Sequence, residues 1–163
     1  MSIDQTLFRQ VAGSFATGVT VITTGADGAY HGMTASAVAS LSLEPTQVLV
    51  CIERTAHTLP TLQSSDYFNI NVLSEDQEDL SRLFASKEAQ QGHALDGVDY
   101  SLGKHGVPLL KGTLGYFECR VVQQYDGGDH VIFVGEVEHA ALGDAGRPLL
   151  YYKGRYRRMA DEE

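Results

Sequence analysis

The run Gly32-Met33-Thr34-Ala35-Ser36-Ala37-Val38-Ala39-Ser40-Leu41-Ser42-Leu43-Glu44-Pro45 sets small hydroxyl residues into strand-like alternation. Thr, Ser and Ala are small enough for a flat ring to approach a strand backbone, whose N–H groups and hydroxyls can then hydrogen-bond the ring's carbonyls and nitrogens. The segment therefore suits a planar, oxygen-rich ligand. The same pattern also describes a half-exposed strand with Ser and Thr on its wet face, and the residues alone leave both readings open. A second polar group is basic: Arg147, Lys153, Arg155, Arg157 and Arg158 put five of the twelve Lys and Arg into the last seventeen residues. They can attract an anionic cofactor or simply solvate a terminus.

Other chemistries lack an anchor. No G-x-G-x-x-G follows the first strand and no G-x-x-x-x-G-K-[ST] occurs, so neither loop for dinucleotide or triphosphate phosphates is supported. G-x-S-x-G is absent, and nothing orders the Ser and His present into a nucleophile and base. The histidines at 31, 57, 93, 105, 130 and 139 lack the spacing of a structural zinc site; His139 near Glu136 and Glu138 reads as a charged strand face, and no metal is expected. Cys51 and Cys119 lie in apolar, strand-like sequence and read as reduced buried thiols. A formal charge of −9 argues against a nucleic-acid partner. No stretch approaches bilayer-spanning length, and Met1-Ser2-Ile3-Asp4-Gln5 does not start a signal peptide, so no membrane partner and a cytoplasmic location are expected.

The 163 residues, 43% apolar and 20% charged, are expected to form a single domain over 1–163. Ser2 with Gln5 resembles a capping box, and Ile3, Leu7, Val11 and Phe15 predict an amphipathic helix over 3–15 with one face on the core. The β-branched run 19–24, the turn 25–28 and a strand near 30–37 predict a hairpin. Residues 47–53 predict an apolar strand, and a short helix with an early Pro60 follows Thr58. In the strand 67–73, Phe68, Ile70 and Val72 share one face, with Asn69 and Asn71 on the other. Ser74 with Gln77 caps a helix of about ten residues. The Gly-containing stretch 86–112 reads as loop, 113–125 and 130–141 as a long hairpin around Asp126-Gly127-Gly128-Asp129, and 149–152 as the strand that ends the sheet. Strands joined by turns, with few helices, favour a mainly β, closed antiparallel barrel over a doubly wound sheet.

Taken together, Phe8 to Thr24 (F-R-x-V-x-G-S-F-A-T-G-V-T-V-I-T-T), the G-M-T-A-S-A-V-A-S-L-S-L-E-P run, V-L-V-C-I-E-R-T-A-H-T, Phe68 to Gln77 (F-N-I-N-V-L-S-E-D-Q), Gly128 to Val137 (G-D-H-V-I-F-V-G-E-V) and Pro148 to Tyr156 (P-L-L-Y-Y-K-G-R-Y) resemble the short-chain flavin reductase family. The order and spacing of these segments over nearly the whole chain carry the resemblance. It implies an antiparallel Greek-key split β-barrel of the FMN-binding type, usually homodimeric, that uses NADH or NADPH to reduce FMN or FAD. Many members are the reductase component of a two-component flavin-dependent monooxygenase, so a separate oxygenase is the implied partner. A flavin-binding electron-carrier module without nicotinamide turnover is the alternative.

Carried over by position, the resemblance places Met33, Thr34, Ala35 and Ser36 along the flavin ring. Cys51, Ile52, Glu53 and Arg54, then His57 and Thr58, form the next wall and reach the ribityl and phosphate, with dipole support from the helix start near Thr58. Phe84, Ala85, Ser86 and Lys87 match the phosphate-end segment. His130, in the G-D-H motif, is implied to position the nicotinamide rather than act as a base, because hydride transfer requires no proton abstraction from it. Tyr152 and Arg155 would stack on the nicotinamide nucleotide and pair with its phosphates.

Overall fold

A computed structural model describes residues 2–144 and 146–161. The first helix, α1 (Gln5–Gly13), is capped by Asp4, whose carboxylate accepts the N–H groups of Thr6 and Leu7 at 3.2 and 3.3 Å. The capping box expected from Ser2 and Gln5 is thus replaced by a carboxylate two residues on. The apolar stripe forms as predicted but does not face the core: Leu7, Phe8, Val11 and the flanking Ile3 and Phe15 are 48–79% exposed, and no residue of α1 is buried.

Next come β1 (Thr17–Gly18), β2 (Thr20–Ala26), β3 (Ala29–Ala35), β4 (Val38–Leu43) and β5 (Thr46–Glu53). The predicted β2–β3 hairpin is present, with Thr20 opposite Ala35 and Ala26 opposite Ala29. The hydroxyl-rich run 32–45 is divided between two strands, since β3 stops at Ala35 and β4 begins at Val38. Helix α2 (Leu59–Ser64) carries Pro60 in its first turn, where a missing N–H is harmless. After β6 (Tyr67–Val72), Ser74 and Gln77 form the predicted capping box on a single tight turn, 75–77, that runs into α3 (Glu78–Phe84).

The stretch expected to be loop contains structure: α4 (Lys87–Gln90) and a hairpin of β7 (Tyr100–Leu102) and β8 (Pro108–Leu110). Three-residue strands are too short to show a period, which is why the glycines dominated the reading. Then follow β9 (Gly115–Gly127) and β10 (His130–Leu142), the predicted long hairpin, and finally β11 (Leu150–Tyr152) and β12 (Arg155–Arg157). β11 does not end the main sheet; it sits between β1 and β12 in a separate three-stranded sheet.

The main sheet has seven antiparallel strands in the order β3-β2-β6-β9-β10-β5-β4. It curls until β3, at one edge, approaches β5 near the other without pairing to it, giving the split barrel. Inside lie Ile22, Val50, Ile52, Leu62, Phe68, Ile70, Cys119 and Phe133, all fully buried. Each such aliphatic or aromatic side chain stabilises the fold by about 1.5–3 kcal/mol. A second core, with Val21, Leu73, Phe84, Ala89, Leu110 and Leu149, fills the space between the outer face and the segments 78–110 and 149.

That second core covers the asparagine face of β6. Asn69 and Asn71 are buried because α3 and the β7–β8 hairpin cover their side of the sheet. Asn69 Nδ2 donates to the carbonyls of Val107 and Pro108 at 3.1 Å each. Asn71 Nδ2 donates to the Val21 carbonyl at 3.0 Å, and its Oδ1 accepts the Leu110 N–H at 2.9 Å. Both amides thereby satisfy the backbone of β8, as buried polar groups must.

Candidate functional site

Where the barrel splits, the unpaired edge of β3 faces the connection from β5 to α2. The gap between them is a cleft of about 220 Å³ lined by Gly32, Met33, Thr34, Glu53, Thr55, Ala56, His57, Thr58, Phe84, Ala85 and Ala89. The pleat decides which β3 side chains do what. Met33 and Ala35 turn into the barrel core. Gly32 and Thr34 turn towards α3: a Cβ on Gly32 would lie 2.5 Å from Phe84 Cε1, and Thr34 Oγ1 donates to the Ser81 carbonyl at 2.6 Å.

The opposite wall starts where β5 runs out. Ile52 is fully buried in the barrel and Cys51 half-buried on the other side of the strand, so neither side chain lines the cleft; burial raises the Cys51 thiol above its ordinary value. Glu53 and His57 are exposed at the cleft and Thr58 is buried. Thr58 makes no side-chain cap on α2, and its carbonyl accepts the Leu62 N–H.

Arg54 is committed elsewhere. Its guanidinium pairs with Asp126 and donates through Nε to the Gly128 carbonyl at 2.7 Å, while its own N–H donates to the Asp129 carbonyl at 2.9 Å. These contacts tie the tip of the β9–β10 hairpin to the cleft wall. His130 opens β10 directly beside that tip, opposite Glu53 in the β5 register. Its Nδ1 lies 2.7 Å from Asp129 Oδ1, and this hydrogen bond, with the imidazole's charge, draws the Asp129 carboxyl below its usual range. A lone hairpin-end histidine in the sequence thus becomes a ring held against Asp129, next to Glu53 of the cleft wall though not itself among the lining residues.

Phe84 and Ala85 close the cleft at the C-terminal end of α3. Ser86 Oγ donates to the Leu83 carbonyl at 2.5 Å, and Lys87 is exposed at the start of α4. Ser36 is exposed just beyond β3. Tyr152 and Arg155 are cross-strand partners in the β11–β12 hairpin, with Lys153 Nζ 5.3 Å from the Tyr152 ring centroid. That hairpin is anchored through Tyr156, whose hydroxyl is 2.7 Å from Ser81 Oγ and whose ring lies under Arg82 at 4.8 Å. Ser81 therefore joins Thr34 on the cleft wall to the hairpin carrying Tyr152 and Arg155.

Sequence reasoning missed Gly32, Thr55, Ala56 and Ala89 in the lining and Ser81 with Tyr156 behind it. Gly32, Thr55 and Ala56 lie inside quoted motifs and were within reach. Ala89 and Ser81 belong to segments brought in only by tertiary packing.

Comparison with known proteins matches residues 12–160 to the flavin reductase like domain. The reductase component of a 4-nitrophenol 4-monooxygenase/4-nitrocatechol 2-monooxygenase from Rhodococcus opacus is 42% identical over 154 residues, covering 94% of this chain and 80% of that protein. An NADH-dependent FMN reductase of Agrobacterium fabrum is 40% identical over 153 residues, covering 94% of this chain and 85% of that protein. Among solved structures, the Streptomyces globisporus NADH:FAD oxidoreductase in complex with NAD and FAD fragments superposes with a TM-score of 0.89 at 39% identity, covering 96% of this chain and 93% of that one. With the match spanning almost every element that builds the cleft, the chain belongs to the flavin reductase-like family.

Proposed function

We propose that this protein is an NAD(P)H:flavin oxidoreductase that reduces FMN or FAD and supplies reduced flavin to a separate flavin-dependent oxygenase component. The carrying observation is the cleft at the barrel split, where an unpaired strand edge and small residues face a wall of hydroxyls. These residues fit a flavin ring. Gly32, Ala56, Ala85 and Ala89 leave the approach open, the β3 edge offers backbone donors and acceptors, and Thr34, Thr55 and Thr58 add hydroxyls. At about 220 Å³ the cleft suits the ring and leaves the nucleotide tail outside it.

When bound, flavin supplies the hydride acceptor and the reduced nicotinamide the hydride. The chain's own part is alignment. Met33 and Thr34 line the ring side, with Ala35 and Ser36 acting through the backbone that continues from the β3 edge, Glu53, His57 and Thr58 form the facing wall, and Phe84 to Lys87 the phosphate end. Cys51 and Ile52 act through their backbone and by filling the barrel behind it. His130 orients the nicotinamide at the rim, held by Asp129 and by the Arg54 clamp on its hairpin. Tyr152 and Arg155 receive the far end of the nicotinamide nucleotide.

The same reading makes the protein a cytoplasmic homodimer. Its support is the exposed stripe on α1, a set of large apolar side chains that a second copy would cover. Among the described residues no helix is long and apolar enough to cross a membrane.

The test is steady-state oxidation of NADH and of NADPH with FMN or FAD in excess over enzyme. Turnover of added flavin, with KM for the nicotinamide raised by His130→Ala, is the expected result. Tight flavin binding without nicotinamide oxidation would refute it and establish the electron-carrier alternative.

A further inference from the structure

Far from the cleft, His105, Glu138 and His139 bring one ligand atom each to within 4.8 Å of one another. Glu138 lies eight residues along β10 from His130, on the order of 25 Å at the rise of a strand. In the sequence His139, near Glu136 and Glu138, reads as part of a charged strand face. Strict alternation would send Glu138 and His139 to opposite sides of the sheet, and a bulge breaks it. Val137 pairs with Cys119 and His139 with Glu118, leaving Glu138 as the extra residue. An extra residue re-aims the side chain next to it, and here the carboxylate and the imidazole share a side.

The third donor arrives from the β7–β8 turn. His105 is stacked flat on Tyr67, with ring centroids 3.8 Å apart and planes 6° from parallel, so its orientation is held. Its Nε2 is shielded from solvent and faces Glu138 Oε2 at 2.7 Å. The ring nitrogen and the carboxylate oxygen thus stand side by side as two ligand atoms within reach of one cation. Arg120 holds the other carboxylate oxygen, Oε1, at 3.0 Å, which leaves Oε2 for a ligand. Lys104 Nζ, 3.3 Å from His139 Nδ1, sits on an exposed and flexible stem that can swing away. Glu118, directly opposite His139 on β9, is buried behind the site, where its Oε1 accepts the Lys104 N–H at 2.7 Å.

We infer that His105, Glu138 and His139 form a binding site for a divalent transition-metal ion of the zinc type, with solvent as its remaining ligand. Two imidazoles and one carboxylate select such ions over magnesium and calcium, which take oxygen. Donors bound at 2.0–2.1 Å around a tetrahedral ion stand about 3.4 Å apart, so a pair 4.8 Å apart closes by about 1.4 Å and the 2.7 Å pair of His105 and Glu138 opens by about 0.7 Å, both within reach of side-chain rotations. An ion there would pin the β7–β8 hairpin to β10.

The test is calorimetric titration of EDTA-treated, dialysed full-length protein with zinc chloride, alongside His105→Ala, His139→Ala and, as a control, His93→Ala, which removes a surface histidine beside Asp96. One ion per chain is expected, bound at least tenfold more weakly by either of the first two variants and unchanged by the third. At a hundredfold excess over Kd, zinc should raise Tm by about 5–10 °C in the wild type. Ring-proton NMR of the unmodified protein gives an answer independent of how the variants fold: zinc should shift the resonances of two histidines and leave the other four in place. Absence of stoichiometric binding, wild-type affinity in either the His105 or the His139 variant, or shifts at other histidines would overturn the assignment.

Discussion

Replacing Gly32 by Ala tests the fold and the cleft at once. The added Cβ would stand 2.5 Å from Phe84 Cε1 and 2.7 Å from Cδ1, whereas carbon atoms pack at 3.5–4.0 Å, so the ring must retreat by about 1 Å. It has nowhere to go freely, because Phe84 is 2% exposed and belongs to the core with Val21, Leu73 and Leu149. Overpacking of this kind costs about 2 kcal/mol, or roughly 4–8 °C in Tm for a chain of this length. Since Gly32 and Phe84 both line the cleft, flavin binding should weaken together with stability. Urea unfolding and a fluorescence titration with FMN and FAD measure the two effects. The decisive comparison is the same substitution in a Phe84→Leu background, where Cε1 does not exist: there Gly32→Ala should cost less than half as much, a coupling expected only for groups in contact. Equal costs in both backgrounds, or a cost below about 0.5 kcal/mol in the wild type, would show that the ring does not bear on this strand.

Arg54→Ala should release the hairpin that carries His130, raising KM for the nicotinamide about three- to tenfold. Its ion pair with Asp126 is largely exposed, so stability should move by less than about 1 kcal/mol; unchanged steady-state constants would refute the clamp. Burial, reinforced by the charges of Glu118 and Glu138, pushes the Cys119 thiol up to about 12 from 9.0. The folded value lies above the unfolded one, so this contribution is intact below about pH 9. It is lost as pH rises from there towards 12, at up to about 1.4 kcal/mol per pH unit. Urea melts between pH 8 and 11 should therefore show a shallower alkaline decline in Cys119→Ala than in the wild type, and identical slopes would contradict the reasoning. Leu7→Glu with Val11→Glu should convert a dimer to monomers by light scattering without loss of helix by circular dichroism; a wild type that is monomeric at tens of micromolar would count against the α1 interface.

The strands of the two main hairpins could be read from the sequence because they have enough length to display a pattern. The β2–β3 and β9–β10 hairpins carry β-branched runs around Gly-containing turns, and the Ser74–Gln77 capping box is a contact between residues three apart. Readings failed where the deciding contact was distant. The stripe on α1 is apolar, and apolarity alone says that a surface will be covered without saying by what. The alternation put Asn69 and Asn71 on one face of β6, but only the tertiary structure shows that β8 covers that face and takes their hydrogen bonds. Arg54 stood beside other candidate ligands in the sequence, yet a hairpin more than seventy residues on claims its guanidinium. Glu138 and His139 read as one charged strand face, and the bulge that brings their ligand atoms together leaves no mark in the sequence pattern.

The amino-acid sequence by itself determined that this chain is mainly β, which segments pair as hairpins, and which residue types stand ready to meet a flat, polar ring. Those properties are set by interactions between near neighbours, and their record is periodic. Only the tertiary structure decided where the sheet splits, that the free edge of β3 faces the 53–58 segment, and which side chains reach the cleft and which are spent on holding it. The physical reason is that the cleft is built from separate stretches of chain, 32–34, 53–58 and 84–89, whose approach depends on how far a seven-stranded sheet curls before its ends meet.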